Sequence, residues 1–169
     1  MTQKEFLLNV LPFKDKVYRL AKRLLISTDE AEDATQELFV KLWSKKEEIS
    51  NLRSIEAYAM TMIKNFCLDR LKSKQANNLT LVHSNYVSKD MALDKKIELE
   101  NSVQIVKKLM NQLPEQQRII IQLRDIEEYD YDEICEIVEM NQTAVRVALS
   151  RARKTIREQL IKTHAYGLG

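Results

Sequence analysis

The apolar positions of this chain recur at helical spacing along most of its length. In residues 2–26, Phe6, Val10, Val17, Leu20, Ala21, Leu24 and Leu25 share one face, and Pro12 is placed to bend or restart the helix. Ser27 and Thr28 break the pattern. Thr28 suits a helix cap, because Asp29 and Glu30 follow in the first turn, where acids complement the positive end of the helix dipole. That helix runs to about Lys46, with Ala31, Ala34, Leu38 and Leu42 inward and Phe39 and Trp43 alongside. A polar loop, Glu47 to Arg53, leads to a third helix carrying Ile55, Ala59, Met62 and Phe66. Together these helices can enclose a core around Trp43 and Phe66.

From Ser73 to about Lys89 the periodicity gives way to Asn, Ser, Gln and Lys, the composition of a flexible linker. It returns between Met91 and Leu113 with Ile97, Val103, Val106, Leu109 and Met110, and stops ahead of Pro114. Pro114 suits the first position of a further helix with Ile119, Ile120 and Leu123 inside. Tyr131 to Val138, a turn at Glu139 to Asn141, and a last helix with Val145, Leu149, Ala152, Ile156 and Leu160 complete the pattern, with Asn141 as its cap. The expectation is an all-α protein of two small helical domains, residues 1–75 and 92–165, joined by a flexible linker at 76–91, the C-terminal domain containing a helix-turn-helix. Two Gly and two Pro leave few turns for a sheet-rich fold, and 44% hydrophobic residues argue against a wholly disordered chain.

Charge adds what periodicity cannot. Asp125 to Glu139 holds eight acids and no base, whereas Met140 to Arg157 holds five bases and no acid. Beside the apolar stripe of the last helix, Arg146, Ser150, Arg153 and Arg157 recur at helical spacing, and Arg151 and Lys154 point further away, so the helix offers a wide cationic face to a polyanion. Gln142 and Thr143 lie at its tip, where they would enter a major groove first. A solvated surface helix is the plainer alternative. A second basic end, Lys64, Arg70, Lys72 and Lys74, is offset only by Asp69, and Asn65 can hydrogen-bond a base edge. The net charge of +2 averages over these polarised segments.

Other chemistry is sparse. Cys67 and Cys135 occupy apolar helical positions far apart, which favours buried free thiols and a reducing cytoplasm. The stretch Phe6 to Phe13 is too short for a membrane span or a good signal peptide, so a cytoplasmic location is expected. His83 and His164 have no ligand-like neighbours, and no C-x-x-C, phosphate loop or nucleophile elbow occurs. Neither catalysis, a metal nor a cofactor is expected, and the acids of 125–139 read as solvation of a helix pair.

Three blocks resemble the small, two-domain bacterial RNA polymerase sigma factors of the extracytoplasmic-function group, in the sigma-70 family. Asp33-Ala34-Thr35-Gln36-Glu37-Leu38-Phe39-Val40-Lys41-Leu42-Trp43 is similar to the family's helix for the clamp of the polymerase largest subunit. Ala57-Tyr58, with Lys64-Asn65-Phe66-Cys67-Leu68-Asp69-Arg70-Leu71-Lys72, is similar to its minus-ten segment. Leu113-Pro114-Glu115-Gln116-Gln117-Arg118, followed by Tyr131-Asp132-Glu133-Ile134 and Leu149-Ser150-Arg151-Ala152-Arg153, is similar to its minus-thirty-five domain.

The resemblance implies a non-enzymatic specificity factor that binds core RNA polymerase at clamp and flap and directs initiation at promoters. Asp33, Gln36 and Glu37 would meet polymerase, although dipole-favoured acids at a helix start are an equal local account. Lys64, Asn65, Asp69, Arg70, Lys72 and Lys74 would serve the minus-ten element, with an extruded base received near Lys46 to Arg53 unless that is an ordinary solvated loop. Gln142, Thr143, Arg146, Val147, Ser150, Arg151, Arg153, Lys154 and Arg157 would serve the minus-thirty-five element. The family also implies an anti-sigma factor, commonly membrane-bound.

Departures from the family pattern are Tyr58 where Trp is frequent, Val147 and Ala148 at commonly polar recognition positions, and Glu139 where Gly is usual. A strained Glu139 is expected to alter its turn. The alternatives are a stand-alone helix-turn-helix regulator binding DNA through residues 114–161 as a symmetric dimer, and a helical adaptor without salt-sensitive DNA affinity.

Overall fold

The computed structural model describes residues 1–78 and 102–167, so residues 79–91 of the expected linker, and the start of the helix expected from Met91 with Ile97 on it, lie outside the described residues. The N-terminal lobe comprises α1 (Gln3–Val10), a 3-10 turn (Leu11–Phe13), α2 (Lys14–Leu25), α3 (Thr28–Ser44), α4 (Lys46–Ile49) and α5 (Ile55–Asn78). The C-terminal lobe comprises α6 (Ser102–Asn111), α7 (Glu115–Ile121), a π turn (Gln122–Ile126), α8 (Tyr131–Val138) and α9 (Gln142–Gly167). Among the described residues there is no strand.

Local chemistry sets most boundaries. Thr2 and Glu5 close a capping box at α1, where each side chain takes the other's free backbone N–H. Pro12 then splits the first expected helix into two, because proline lacks the N–H that an α ladder needs at that point. The cap of α3 is Ser27, whose Oγ accepts from Glu30 N at 3.4 Å; Thr28 is already helical. Pro114, expected inside α7, is its N-cap, with an extended ψ of 146°. The first part of the expected loop after α3, Glu47 to Ile49, belongs to the helical turn α4, which buries Ile49. Residues 76–78, expected in the linker, continue α5.

The core of the N-terminal lobe holds the anticipated faces of α2 and α3: Val17, Leu20, Ala21, Leu24 and Leu25 against Ala31, Ala34, Leu38 and Leu42. On α5 the buried stripe is Ala59, Met60, Ile63 and Cys67, turned from the expected Ile55, Met62 and Phe66, which are half-buried. The cause is that α5 packs on two sides, against α2 and α3 and against α8, so no single polar face marks its solvent side. Trp43 and Phe66 sit at the margin, not the centre; Lys46 lies over the Trp43 ring at 3.8 Å and Lys41 over Phe66 at 5.4 Å.

In the C-terminal lobe, Ile134 and Ile137 of α8 and Val145, Leu149, Ala152 and Ile156 of α9 close over Ile119, Ile120 and Leu123. Asp130 and Glu133 form a capping box at the start of α8. Asn141 Oδ1 accepts from Ala144 N at 2.8 Å and caps α9, as expected. The buried residues of the two lobes form one continuous cluster, with α2 packed on α6, α7 and the π turn, and α5 packed on α8.

Candidate nucleic-acid interface

The helix-turn-helix presents its cationic face cleanly. Gln142, Thr143, Arg146, Val147, Ser150, Arg151, Arg153, Lys154 and Arg157 are all exposed, while the apolar stripe one position round the helix is buried. Thr143, Arg146, Val147, Ser150 and Arg151 line a shallow concavity open to solvent. Val147, 42% exposed, is an apolar contact among them, whereas Ala148 is buried and faces the lobe's core. The loss of a polar group at 148 therefore removes nothing from the exposed face.

Neighbouring residues hold two of the arginines. Arg146 lies 4.2 Å over the Tyr131 ring, whose other cationic neighbour, Arg124, is at 4.7 Å. Arg153 pairs with Asp125, Nε to Oδ2 at 3.0 Å, and that hydrogen bond raises its pKa further. The eight acids of residues 125–139 were expected only to solvate a helix pair; Asp125 instead orients a base of α9, and Tyr131 does the same in the gap between acids.

Glu139 adopts φ 57° and ψ 45°, the left-handed geometry that favours glycine. The turn is not altered to suit the residue; the glutamate takes up the ordinary cap conformation, and its N–H reaches Cys135 O. Glu128 (φ 61°) and Ile26 (φ 68°) are also left-handed, and no periodicity signalled either.

At the basic end of α5 the picture is mixed. Asn65, Asp69, Lys72 and Lys74 are exposed. Arg70 donates to Asp33 Oδ2 at 3.0 Å, and Lys74 pairs with Glu30. The acids at the start of α3 thus hold two bases of α5, which joins the expected polymerase-binding and minus-ten residues in one surface network. Gln36 and Glu37 are exposed beside Asp33. Lys64 stands apart: it is 7% exposed, and its Nζ donates to Ile137 O at 2.8 Å, so in this arrangement it faces α8 and not solvent. Burial lowers its pKa, opposed by the charge of Glu139.

The segment after α4 borders a polar hollow lined by Asn9, Phe13, Ser50, Leu52, Arg53 and Glu56 among others, where an extruded base was expected. Among the described residues no group of His, Cys, Asp and Glu could hold a metal ion, and no helix is long and apolar enough to cross a membrane. Cys67 and Cys135 are free thiols; burial pushes the Cys67 thiol up to about 12.

Comparison with known proteins follows the same division into lobes. Residues 10–77 match the family described as Sigma-70 region 2, and residues 104–156 match Sigma-70, region 4. The chain is 28% identical over 159 residues to the ECF RNA polymerase sigma factor SigW of Bacillus subtilis, covering 88% of this chain and 84% of that protein. It is 27% identical over 172 residues to the RNA polymerase sigma-H factor of Pseudomonas aeruginosa, covering 94% and 87%. The fold matches the sigma factor RpoE, solved in complex with the anti-sigma factor NepR from Bartonella quintana, with a TM-score of 0.76 at 21% identity over 93% of this chain and 97% of that one. It also matches CnrH, solved with the cytosolic domain of CnrY, with a TM-score of 0.69 at 18% identity over 95% and 90%.

Proposed function

The chain belongs to the sigma-70 family of RNA polymerase sigma factors, and we propose that it binds core polymerase and directs initiation at promoters through two separate DNA grips. One observation carries this: both lobes match the family, in order, and the second presents an exposed cationic recognition face on a correctly capped helix. A stand-alone regulator would leave the region 2 lobe, 10–77, without a role.

Arg146 and Arg151 reach base edges or adjacent backbone of the minus-thirty-five element, while Arg153, Lys154 and Arg157 hold phosphates, with Gln142, Thr143, Val147 and Ser150 completing the contact surface. Tyr131 and Asp125 limit the motion of Arg146 and Arg153, so less rotamer freedom is lost on binding.

In the other lobe, Asp33, Gln36 and Glu37 offer acceptors to basic groups on the polymerase clamp. Because exposed ion pairs are worth only about 0–1 kcal/mol, Asp33 can exchange Arg70 for a polymerase cation at little cost. Arg70 then turns to DNA phosphates near the minus-ten element together with Asn65 and Lys72, Lys74 joins them by exchanging its exposed pair with Glu30 in the same way, and Asp69 tempers the field. The hollow beside Ser50 to Ser54 receives the extruded base. The protein works in the cytoplasm without chemistry or cofactor of its own, and an anti-sigma factor binds it, a reading supported by the anti-sigma factor NepR solved with RpoE.

Co-elution with core polymerase tests the docking step. The wild-type chain is expected to co-elute in size-exclusion chromatography, and the triple variant Asp33→Lys, Gln36→Lys, Glu37→Lys to elute alone with unchanged helix content. Undiminished co-elution of the triple variant would remove α3 from the polymerase interface.

A further inference from the structure

Among the described residues that line the shallow concavity on α9, Val147 alone is apolar; the others are Thr143, Arg146, Ser150 and Arg151. Thr143 lies one turn before it, and Ser150 and Arg151 lie one turn after it, on the same side of the helix. The isopropyl group gains little from folding in that place, since the packed stripe of Val145, Leu149 and Ala152 lies further round the helix. Valine is also a poorer helix former than alanine. Its position is nonetheless well defined. Branching at Cβ leaves one strongly preferred χ1 in a helix, so both methyls are fixed before any partner arrives. The neighbouring cation is held aside, because the Arg146 guanidinium stacks 4.2 Å over the Tyr131 ring of α8.

The edges of the bases differ in what they offer to such a group. In the major groove guanine presents N7 and O6, adenine presents N7 and its N6 amine, and cytosine presents its N4 amine. Seating an isopropyl group on any of these strips water from a donor or acceptor and returns no hydrogen bond. Thymine carries a methyl group on C5 beside its O4 acceptor. Contact with that methyl removes apolar surface from water on both sides.

We propose that Val147 is a specificity-determining residue of the upstream DNA contact, seating its isopropyl group on the 5-methyl of a thymine in the minus-thirty-five element. This rests on the reading that α9 enters the major groove of that element. Arg146 and Arg151, on either side, bring the valine to the polyanion, and Ser150 and Arg151 supply hydrogen bonds to neighbouring edges. Val147 selects in two ways: it attracts the methyl, and it leaves the polar edges of the other bases unpaired. It is also a position at which this chain departs from its family's pattern, so the thymine it selects is a feature of this chain's own promoters.

Removal of single methyl groups from the DNA tests the contact. The probe is a promoter fragment upstream of a start site that arises only when this chain and core RNA polymerase are both present, bound by that reconstituted holoenzyme. Each thymine of the upstream element, on either strand, is replaced in turn by deoxyuridine, which lacks the methyl and keeps the base pair. One position is expected to weaken binding about fourfold, the effect of burying one methyl group. Val147→Ala keeps a good helix former in place. It should bind the thymine duplex about fourfold more weakly than wild type and should not distinguish thymine from deoxyuridine there. With a cytosine at that position, methylation of its C5 should restore part of the affinity in the wild type and none in Val147→Ala. A methyl contact displaces no counterion, so the preference for thymine over deoxyuridine should be equal at low and high salt.

Two results would overturn the proposal while binding by the holoenzyme leaves the functional reading standing. One is that no thymine methyl matters to the wild type; the other is that a sensitive thymine stays sensitive in Val147→Ala. Absence of any start site dependent on this chain would overturn both.

Discussion

Among the described residues, three with side chains occupy backbone positions where glycine would be at ease: Ile26, Glu128 and Glu139. An L-residue in the left-handed region costs about 1–2 kcal/mol, and glycine gives back part of that through its freer unfolded chain. Glu139→Gly should therefore raise stability by about 0.5–1 kcal/mol, read as a higher urea midpoint at unchanged slope. An unchanged or lower midpoint would mean that the glutamate carries an interaction that outweighs its strain. At the thiols, Cys67 is buried and its pKa is raised, whereas Cys135 is partly open, so a thiol reagent should modify Cys135 first and Cys67 only on unfolding. Simultaneous modification in the folded protein would contradict the burial of Cys67. The strain at Glu139 was visible in the sequence because the turn lay between two strongly patterned helices. Ile26 and Glu128 were not visible, since nothing but the backbone geometry distinguishes them.

Among the elements, α9 was the most legible and α5 the least. One face of α9 packs and the rest meets solvent, so period and charge agreed, and Val145, Leu149, Ala152 and Ile156 are buried as expected. Its cap can be tested alone: Asn141→Ala should cost about 1 kcal/mol of stability, because Ala144 N loses its acceptor. No loss would show that water or another group replaces the cap. On the exposed face, Arg151→Ala should weaken binding of a minus-thirty-five duplex by about 1–3 kcal/mol with altered base preference if it reads a base, or lower the salt slope by about 1 if it holds a phosphate. Unchanged affinity at moderate salt would take Arg151 out of the interface. For α5 the buried stripe lies about one residue from the one the periodicity indicates, because a helix with neighbours on both sides buries Met60 and Ile63 while half-burying Met62 and Phe66. Lys64 looked like a surface cation for the same reason. Its partner, the carbonyl of Ile137, lies more than seventy residues away in the chain and bears no side-chain signature.

At the scale of the whole molecule, two helical lobes and their order were legible, but their mutual packing was not. Arg19 and Glu127 are separated by 108 positions, and Arg23 and Gln122 by 99; each residue read alone is an ordinary surface polar group. Only the fold shows that Glu127 is buried and that a basic stripe on α2 covers it. Two grips on one chain are what a factor needs if it must hold separated promoter elements on polymerase. Transcription from genomic DNA fragments by core RNA polymerase, with and without this protein, bears on that account most directly. New, discrete start sites are expected only when core enzyme and protein are both present. No new start site, with the same core enzyme initiating normally with another sigma factor, would contradict it.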